Sequence, residues 1–378
     1  MQLGFRRTFL GATAVAAMCL LGAVGVKAQA APPAEGVIMS EQAFKNIMTL
    51  RGIPVDTFLD AMGMFANAMG NDCTFCHAPG AALDRAEFAT QTARMARARQ
   101  MIAMMNTINK NFFKGEPRVT CFTCHGGNQS PRSDPNLALQ YATPVEDPNV
   151  RDFPTDPKLV AKDIFDKYIK AVGGADRIAR LTSFTAKGTY EGFDTLKKVA
   201  IEIYAKAPNQ FQSLVHMDDG ISTRTYDGKT GWMAGPDTPV PLVTLTSGNL
   251  DRARLEALVA FPTGIPQAYS QWRVGRAVLN DEEDIVLQAS DNGQPVLNLY
   301  FAPSGLLVRL VRWDPTPVGM VPTQIDYSDF RDVAGVKIPF KKTVSQTYMR
   351  MDVELSDVQP NVPLDAARFN RPPAFKKG

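Results

Sequence analysis

The chain has 378 residues, a length typical of about two domains, of which 45% are hydrophobic and 21% are charged. This balance is sufficient for a buried core and excludes a disordered chain. The 28 glycines and 27 prolines indicate many turns, so a helical bundle throughout is excluded as well.

The first 30 residues have the pattern of an export signal. Arg6 and Arg7 precede an apolar run over 9–26, and Ala28-Gln29-Ala30 supplies a small-x-small cleavage site. Removing residues 1–30 takes away three basic residues and no acidic one, so the formal charge falls from +3 to zero and no nucleic-acid surface is expected. We predict a Sec-type signal peptide and a periplasmic protein. The alternative is an uncleaved anchor that keeps the protein at the membrane, because the run is near the lower length limit for a span.

Two short motifs contain all four cysteines that remain after residue 30. Their members are Cys73, Cys76 and His77 in the first motif, and Cys121, Cys124 and His125 in the second. Paired CxxC sequences occur in structural zinc sites, in redox-active disulfides and at covalent haem. Only haem requires a histidine directly after each pair, because both thiols form thioethers with the porphyrin and the next residue ligates iron. The motifs therefore predict two covalently bound haem c groups.

Methionine is the expected second axial ligand of each iron. The only other histidine, His216, lies in a strand-like segment and cannot serve both irons. Before the first motif the candidates are Met62, Met64 and Met69. Before the second, a helix is predicted to begin near Asp84, and Met101, Met105, Ile108 and Phe112 share one of its faces. Helical methionines also fill cores, so spacing alone does not select the ligand.

A family resemblance narrows this choice. The segments "MGMFANAMGNDCTFCH" and "ARQMIAMMNTIN … VTCFTCHGG" resemble the haem-binding repeat of the photosynthetic reaction centre cytochrome c subunit family, over roughly residues 40–130. In that family a helix precedes each motif and carries the methionine that ligates the same haem. The resemblance implies Met62 and Met101 as ligands, with Met64 as the rival for the first site. The best-known family members carry four haems, whereas this chain has two motifs.

The sequence after the second motif changes character. Residues 131–157 are rich in Pro and Asp and predict a linker over the haem domain. Residues 158–378 predict a helix before Gly173, a second helix near 249–261, and strands with alternating polarity such as 199–206, 297–301 and 349–356. The "YFAPSGLLVRL" and "DYSDFRDVAGVKIPF" segments resemble, weakly, the half-barrel of outer-membrane lipoprotein-sorting carriers. That resemblance implies an apolar ligand, such as a lipid or quinone; a filled structural core is the alternative.

We therefore predict an α+β protein with four parts: a signal peptide at 1–30, a mainly helical dihaem cytochrome c domain at 31–130, a linker at 131–157 and an antiparallel β domain at 158–378. Six-coordinate irons favour one-electron transfer to a partner, which the resemblance implies is a photosynthetic reaction centre or another membrane complex. An electron carrier is favoured over an enzyme. The alternatives are a dihaem peroxidase and a lipid- or quinone-binding envelope protein with ancillary haems. Arg94, Arg97 and Arg99 are candidates to pair with haem propionates, or form a solvated helix face.

Overall fold

A computed structural model describes residues 36–142, 147, 149–195, 197–279, 281–291 and 293–376. The predicted signal peptide at 1–30 lies outside the described residues. The described helices are α1 Ser40–Ala43, α2 Val55–Met69, α3 Ala93–Phe112, α4 Cys121–His125, α5 Leu137–Gln140, α6 Ala161–Ala171, α7 Ala175–Arg180 and α8 Ser247–Ala260. No described helix is both long enough and apolar enough to cross a bilayer.

The second half of the chain forms one open antiparallel sheet. Its strands are β1 Ser183–Gly192, β2 Val199–Lys206, β3 Gln210–Met217, β4 Gly220–Tyr226, β5 Gly231–Ala234, β6 Val243–Thr244, β7 Gln271–Leu279, β8 Glu282–Asp291, β9 Gln294–Phe301, β10 Leu307–Thr316, β11 Gly319–Val333, β12 Val336–Gln346 and β13 Arg350–Pro360. Strands that follow each other in the chain are paired, with one exception: α8 lies between β6 and β7, which form the two edges of the sheet. The first and last strands, β1 and β13, pair in its centre. The order across the sheet is β6-β5-β4-β3-β2-β1-β13-β12-β11-β10-β9-β8-β7. The predicted α+β class with an antiparallel sheet and packed helices is confirmed.

The main core lies on one face of this sheet. In β2 the burial alternates as the sequence predicts, with Val199, Ile201 and Ile203 buried. These side chains pack with apolar residues of α6, α7 and α8, so the helices cover the same face, which we call the inner face. The helix predicted before Gly173 is α6, and the helix predicted near 249–261 is α8, which begins two residues earlier and ends one residue earlier than predicted.

The alternation predicted for 297–301 is wrong. Asn298 and Tyr300 in β9 are as buried as their neighbours, with 1% and 0% of their surface exposed. The reason is a small second core on the outer face, where Tyr300 packs with Phe153. The Val150 carbonyl also accepts a hydrogen bond from the Asn298 side chain, and the Arg151 carbonyl accepts one from the Gln288 side chain of the adjacent strand β8. The end of the predicted linker thus covers the sheet rather than the predicted haem domain.

The N-terminal helices dock on the inner side of the sheet through α2. The Asp56 carboxylate accepts hydrogen bonds from Thr246 N (2.6 Å) and Oγ1 (2.7 Å), just before α8. The Asp60 carboxylate accepts one from Asn249 Nδ2 at 2.7 Å. One turn later Gly63 lies so close to the sheet that a Cβ there would be 2.2 Å from the Tyr348 ring. These contacts fix the rotation of α2 and therefore the direction in which its methionines point.

The long helix begins later than predicted. Asp84 caps only a short 3-10 turn, where its carboxylate accepts a hydrogen bond from Ala86 N at 2.9 Å. The α3 helix begins at Ala93, because Thr92 Oγ1 accepts a hydrogen bond from Met95 N at 3.1 Å and acts as its N-cap. The predicted apolar face is present in the middle of α3, where Met105 is buried, but Phe112 at its end is 76% exposed.

Candidate functional site

The first cysteine motif forms a tight turn after α2. Gly70 ends the helix with a left-handed backbone (φ 62°), a conformation that glycine adopts without steric cost. The Asp72 carboxylate then accepts a hydrogen bond from Thr74 N at 2.8 Å and caps the 3-10 turn Cys73–Phe75. His77 N donates to the Cys73 carbonyl at 3.1 Å, so the two cysteines and the histidine share one turn of backbone.

The second motif is a one-turn helix, α4, seated against the end of α2. Thr120 caps it through its hydroxyl, which accepts a hydrogen bond from Thr123 N at 3.2 Å. Gly126 and Gly127 follow with positive φ, and Gly127 N donates to the Ala68 carbonyl of α2 at 3.0 Å. The two motifs therefore have different local structures, yet both are fixed to the helix that precedes the first of them.

Both motif histidines are held by the same kind of contact. His77 Nδ1 lies 2.9 Å from the Phe88 carbonyl oxygen, and His125 Nδ1 lies 3.1 Å from the Asn128 carbonyl oxygen. A main-chain carbonyl can only accept, so each Nδ1 carries the proton and each Nε2 is left with a free lone pair. Burial also lowers the pKa of His77 and favours the neutral ring. Metal-ligating histidines are typically oriented in this way.

All eight predicted site residues line one cavity of about 1880 Å³. It lies between α2, α3, both motifs and the inner face of the sheet, and its members from the prediction are Met62, Cys73, Cys76, His77, Met101, Cys121, Cys124 and His125. Pockets for a single small molecule are usually about 300–1,000 Å³. The cavity is therefore of a size suited to more than one such ligand.

The methionines of α2 point in different directions. Met64, the rival for the first site, is 5% exposed, packs with Ala61, Met105, Val318 and Val321 in a small core, and does not itself line the cavity. Met62 is half-buried and lines the cavity. A helix turns by about 100° per residue, so side chains two positions apart point away from each other. Met69 also lines the cavity, one seven-residue period after Met62.

The methionines of α3 are distributed in the same way. Met101 is half-buried and lines the cavity, whereas Met104 is 46% exposed, although it reaches the cavity edge. Met105 is buried and contributes to both the cavity wall and the small core. The structure thus brings Met62 and Met101 together with both motifs, and it places Met64 elsewhere.

Burial shifts the pKa of the Cys73, Cys76 and Cys121 thiols in the direction opposite to that of a reactive redox pair. Burial raises the pKa of Cys73 and Cys76, and it raises the pKa of Cys121 to about 11. Reactive CxxC cysteines and zinc ligands are thiolates, which require a lowered pKa. Within the described ranges no three His, Cys, Asp or Glu side chains are grouped to hold a metal ion.

The arginines on α3 differ in whether other residues already bind their guanidinium groups. Arg94 donates to the Phe75 carbonyl at 2.7 Å and its guanidinium lies 4.0 Å from the centre of the Phe75 ring. Arg99 donates to Asn46 O and to Gln91 Oε1. Arg97 is exposed and lines the cavity. Two further arginines that sequence reasoning missed, Arg224 and Arg252, line the cavity from the sheet side.

Comparison with known proteins agrees with the motif region. Residues 2–142 match the family model of the photosynthetic reaction centre cytochrome C subunit. This match spans both motifs and both methionine-bearing helices, and it confirms the resemblance predicted from the sequence. It supports a similarity of this part of the chain to cytochrome c subunits of the reaction centre kind. No curated protein is significantly similar to the chain in sequence.

Solved structures are similar to the C-terminal part in fold alone. A LolA superfamily protein from Nitrosomonas europaea has 12% identity and a TM-score of 0.38, covering 56% of this chain and 98% of its own. A DUF1329 family protein from Desulfovibrio piger has 12% identity and a TM-score of 0.37, covering 55% and 96%. An outer membrane lipoprotein-sorting protein domain from Vibrio parahaemolyticus has 9% identity and a TM-score of 0.36, covering 55% and 95%. The predicted likeness to such carriers is confirmed at this level.

Proposed function

We propose that this protein is an exported c-type cytochrome with two covalent haems that transfers electrons one at a time to a membrane complex. One observation carries the proposal: both motifs, with their histidines oriented through Nδ1, and two helix-borne methionines line the same cavity. The family match supports it over the same residues. Cys73 and Cys76 would tether one haem between His77 and Met62, and Cys121 and Cys124 the other between His125 and Met101.

The ligand chemistry determines what such a site can do. When bound, each haem supplies a ferric–ferrous couple, and a thioether ligand raises its reduction potential relative to a second histidine. His77 with Met62, and His125 with Met101, would supply both protein ligands of each iron, and this would leave no position for oxygen or peroxide. This favours electron transfer over peroxidase chemistry, which requires an open position on one iron. The partner proposed is a membrane electron-transfer complex, which for this family is a photosynthetic reaction centre.

Haem content is the direct test. Intact mass under denaturing conditions should show two covalent haems per chain, and Cys121→Ser/Cys124→Ser should show one. A colourless protein, or one that holds zinc, would end the proposal.

The periplasmic location is tested by the mass of the same sample, because cleavage after Ala30 removes residues 1–30.

Axial ligation requires a separate test. Met62→Ala and Met101→Ala should each remove part of the methionine-to-iron charge-transfer absorption, lower one reduction potential and allow carbon monoxide to bind one iron. Met69→Ala and Met104→Ala are matched controls on the same two helices and should leave all three properties unchanged. If the controls alter the spectrum and the proposed ligands do not, the ligand assignment is wrong although the haems remain.

A further inference from the structure

Two arginines project into the cavity from the C-terminal half of the chain. Arg252, on α8, is 5% exposed, and its Nε is buried without a hydrogen-bond partner. Arg224, on β4, is half-buried, and its guanidinium donates only to Met233 Sδ at 3.3 Å. Both line the same cavity as the two motifs. A buried guanidinium normally has its hydrogen bonds satisfied, so this pair is unusual.

The charges of these arginines are not compensated by a direct ion pair in the described part of the chain. Burial and the neighbouring Arg252 lower the pKa of Arg224 to about 10. The nearby Glu256 carboxylate is already bonded to Lys342 Nζ at 2.9 Å. Asp237 also faces the cavity, but its Oδ1 has no hydrogen-bond partner. Two adjacent cations, one buried and one half-buried, without a bound carboxylate indicate a site for an anionic group.

The pair lies on the side of the cavity that carries the first motif. Gly63 of α2 is in contact with the ring of Tyr348. Burial raises the pKa of Tyr348 to about 12, and Arg252, Arg224 and Cys73 are all close enough to act on it electrostatically. Asn249, one turn before Arg252 on α8, donates to the Asp60 carboxylate of α2 at 2.7 Å, so Arg252 lies beside the helix that carries Met62 and leads into the first motif.

We propose that Arg252 and Arg224 bind the propionate carboxylates of the haem tethered at Cys73 and Cys76. This inference rests on the proposed function. Haem carries two carboxylates on one edge of an otherwise apolar ring, and arginine binds carboxylates through two parallel hydrogen bonds. The wall around the pair is suited to the rest of the ring, because Val215, Met233 and Met351 line it. The C-terminal sheet then completes the haem site instead of being a separate module.

The test compares reduction potentials in the full-length dihaem protein. Arg252→Gln should lower the potential of one haem only, the one whose potential Met62→Ala also lowers. Removing a positive charge favours the ferric state, and an unpaired propionate acts in the same direction. We expect a roughly tenfold change in the ferric-to-ferrous ratio at fixed ambient potential, equivalent to about 59 mV. Arg224→Gln should shift the same haem, and Arg252→Lys should restore part of the shift.

A matched control and the contrary outcomes separate the inference from the proposed function. Arg180→Gln makes the same charge change at an exposed position outside the cavity and should leave both potentials unchanged. Two intact haems with unshifted potentials in both glutamine variants would overturn the propionate assignment and leave the cytochrome assignment in place. A fatty carboxylate that can be extracted from the wild type but not from Arg252→Gln would also overturn the propionate assignment, because the arginine pair would then bind a free amphiphile. A chain without haem would overturn both.

Discussion

The two regions of this protein are stabilised in different ways. The sheet and its helices share a continuous apolar core that includes fully buried residues such as Leu287, Leu297 and Leu299. The region with the motifs has a small core that it shares with Val318 and Val321 of the sheet, in which Met64 and Met105 are the largest buried side chains, and it borders a cavity of about 1880 Å³. Apolar burial is the main driving force for folding, so the sheet can be stable by itself, whereas the motif region depends on what occupies its cavity.

Polar contacts add to this small shared core in holding the motif region to the sheet. Asp56 and Asp60 on α2 bond to the start of α8, and Arg85 donates to the carbonyls of Thr238 and Pro236 at 2.8 and 2.7 Å. Such contacts specify an orientation but contribute little net stability each. The sheet therefore acts as a rigid base that positions a region with few apolar contacts of its own.

The largest expected effect follows from removing all four thiols. In a variant with serine at positions 73, 76, 121 and 124, no haem can be tethered. Amide hydrogen exchange should then lose most of its protection in 55–69 and 93–112, because these helices lose the main apolar contacts proposed for them. The strands of the sheet should keep theirs.

The single-motif variant Cys121→Ser/Cys124→Ser serves as the intermediate control and should lose protection mainly around α4. Full protection of α2 and α3 in the four-serine variant would show that the motif region is stable without haem. The contrast drawn between the two regions would then be wrong.

The next effect is confined to the sheet. Phe301→Ala should lower the free energy of unfolding by about 3–5 kcal/mol, because the ring is 2% exposed and its centre lies 5.2 Å from that of Tyr168. Haem content and reduction potentials should remain those of the wild type. Val278→Ala, at a strand position that is 54% exposed, is the control and should have little effect. Urea titration measures both, and a loss of haem in Phe301→Ala would show that the two regions are coupled more tightly than their cores suggest.

A pair of neighbouring methionines tests the boundary between core and cavity. Met64→Ala should destabilise the protein by about 2–5 kcal/mol, since it removes a buried side chain, without changing the haem spectrum. Met62→Ala should change the spectrum and carbon monoxide binding with a smaller loss of stability from packing. If the effects of the two substitutions are exchanged, Met64 is the ligand and α2 is rotated relative to the arrangement described.

Much of the fold could be predicted because its determinants are local. The alternation in β2 and the glycines after α6 depend on residues close in sequence, and the structure agrees with both. The burial of Asn298 and Tyr300 could not be predicted, because it depends on residues 150–153, almost 150 positions earlier. The start of α3 was missed for a local reason, since Asp84 and Thr92 both have cap-forming side chains and only the structure shows which one begins the long helix.

The candidate site shows the same division. Each motif spans five residues, so the placement of its cysteines and histidine within one turn could be predicted from spacing, and the haem that it implies stays a prediction. The choice between Met62 and Met64 depends on the rotation of α2, which is fixed by distant partners such as Tyr348. Arg224 and Arg252 gave no recognisable signal, because a lone arginine in a strand or helix is usually solvated. Only the fold brings them to the first motif.

The smallest expected effect concerns the charge next to these arginines. Burial raises the pKa of Glu256, but Lys342, Arg252 and Arg224 outweigh it and lower the pKa to about 2, from an ordinary value of 4.5. A lowered carboxyl pKa stabilises the folded state above the unfolded pKa, and this contribution is lost as the pH falls from about 4.5 towards about 2. Glu256→Gln should therefore cost about 1–3 kcal/mol at neutral pH, and its difference from the wild type should shrink over that acid range in urea titrations. A difference that is independent of pH would mean that the carboxylate acts only as a hydrogen-bond acceptor for Lys342. Because the substitution also removes a negative charge beside the arginine pair, the potential of the first haem should rise, opposite to the effect of Arg252→Gln; an unchanged potential would place that haem away from the sheet.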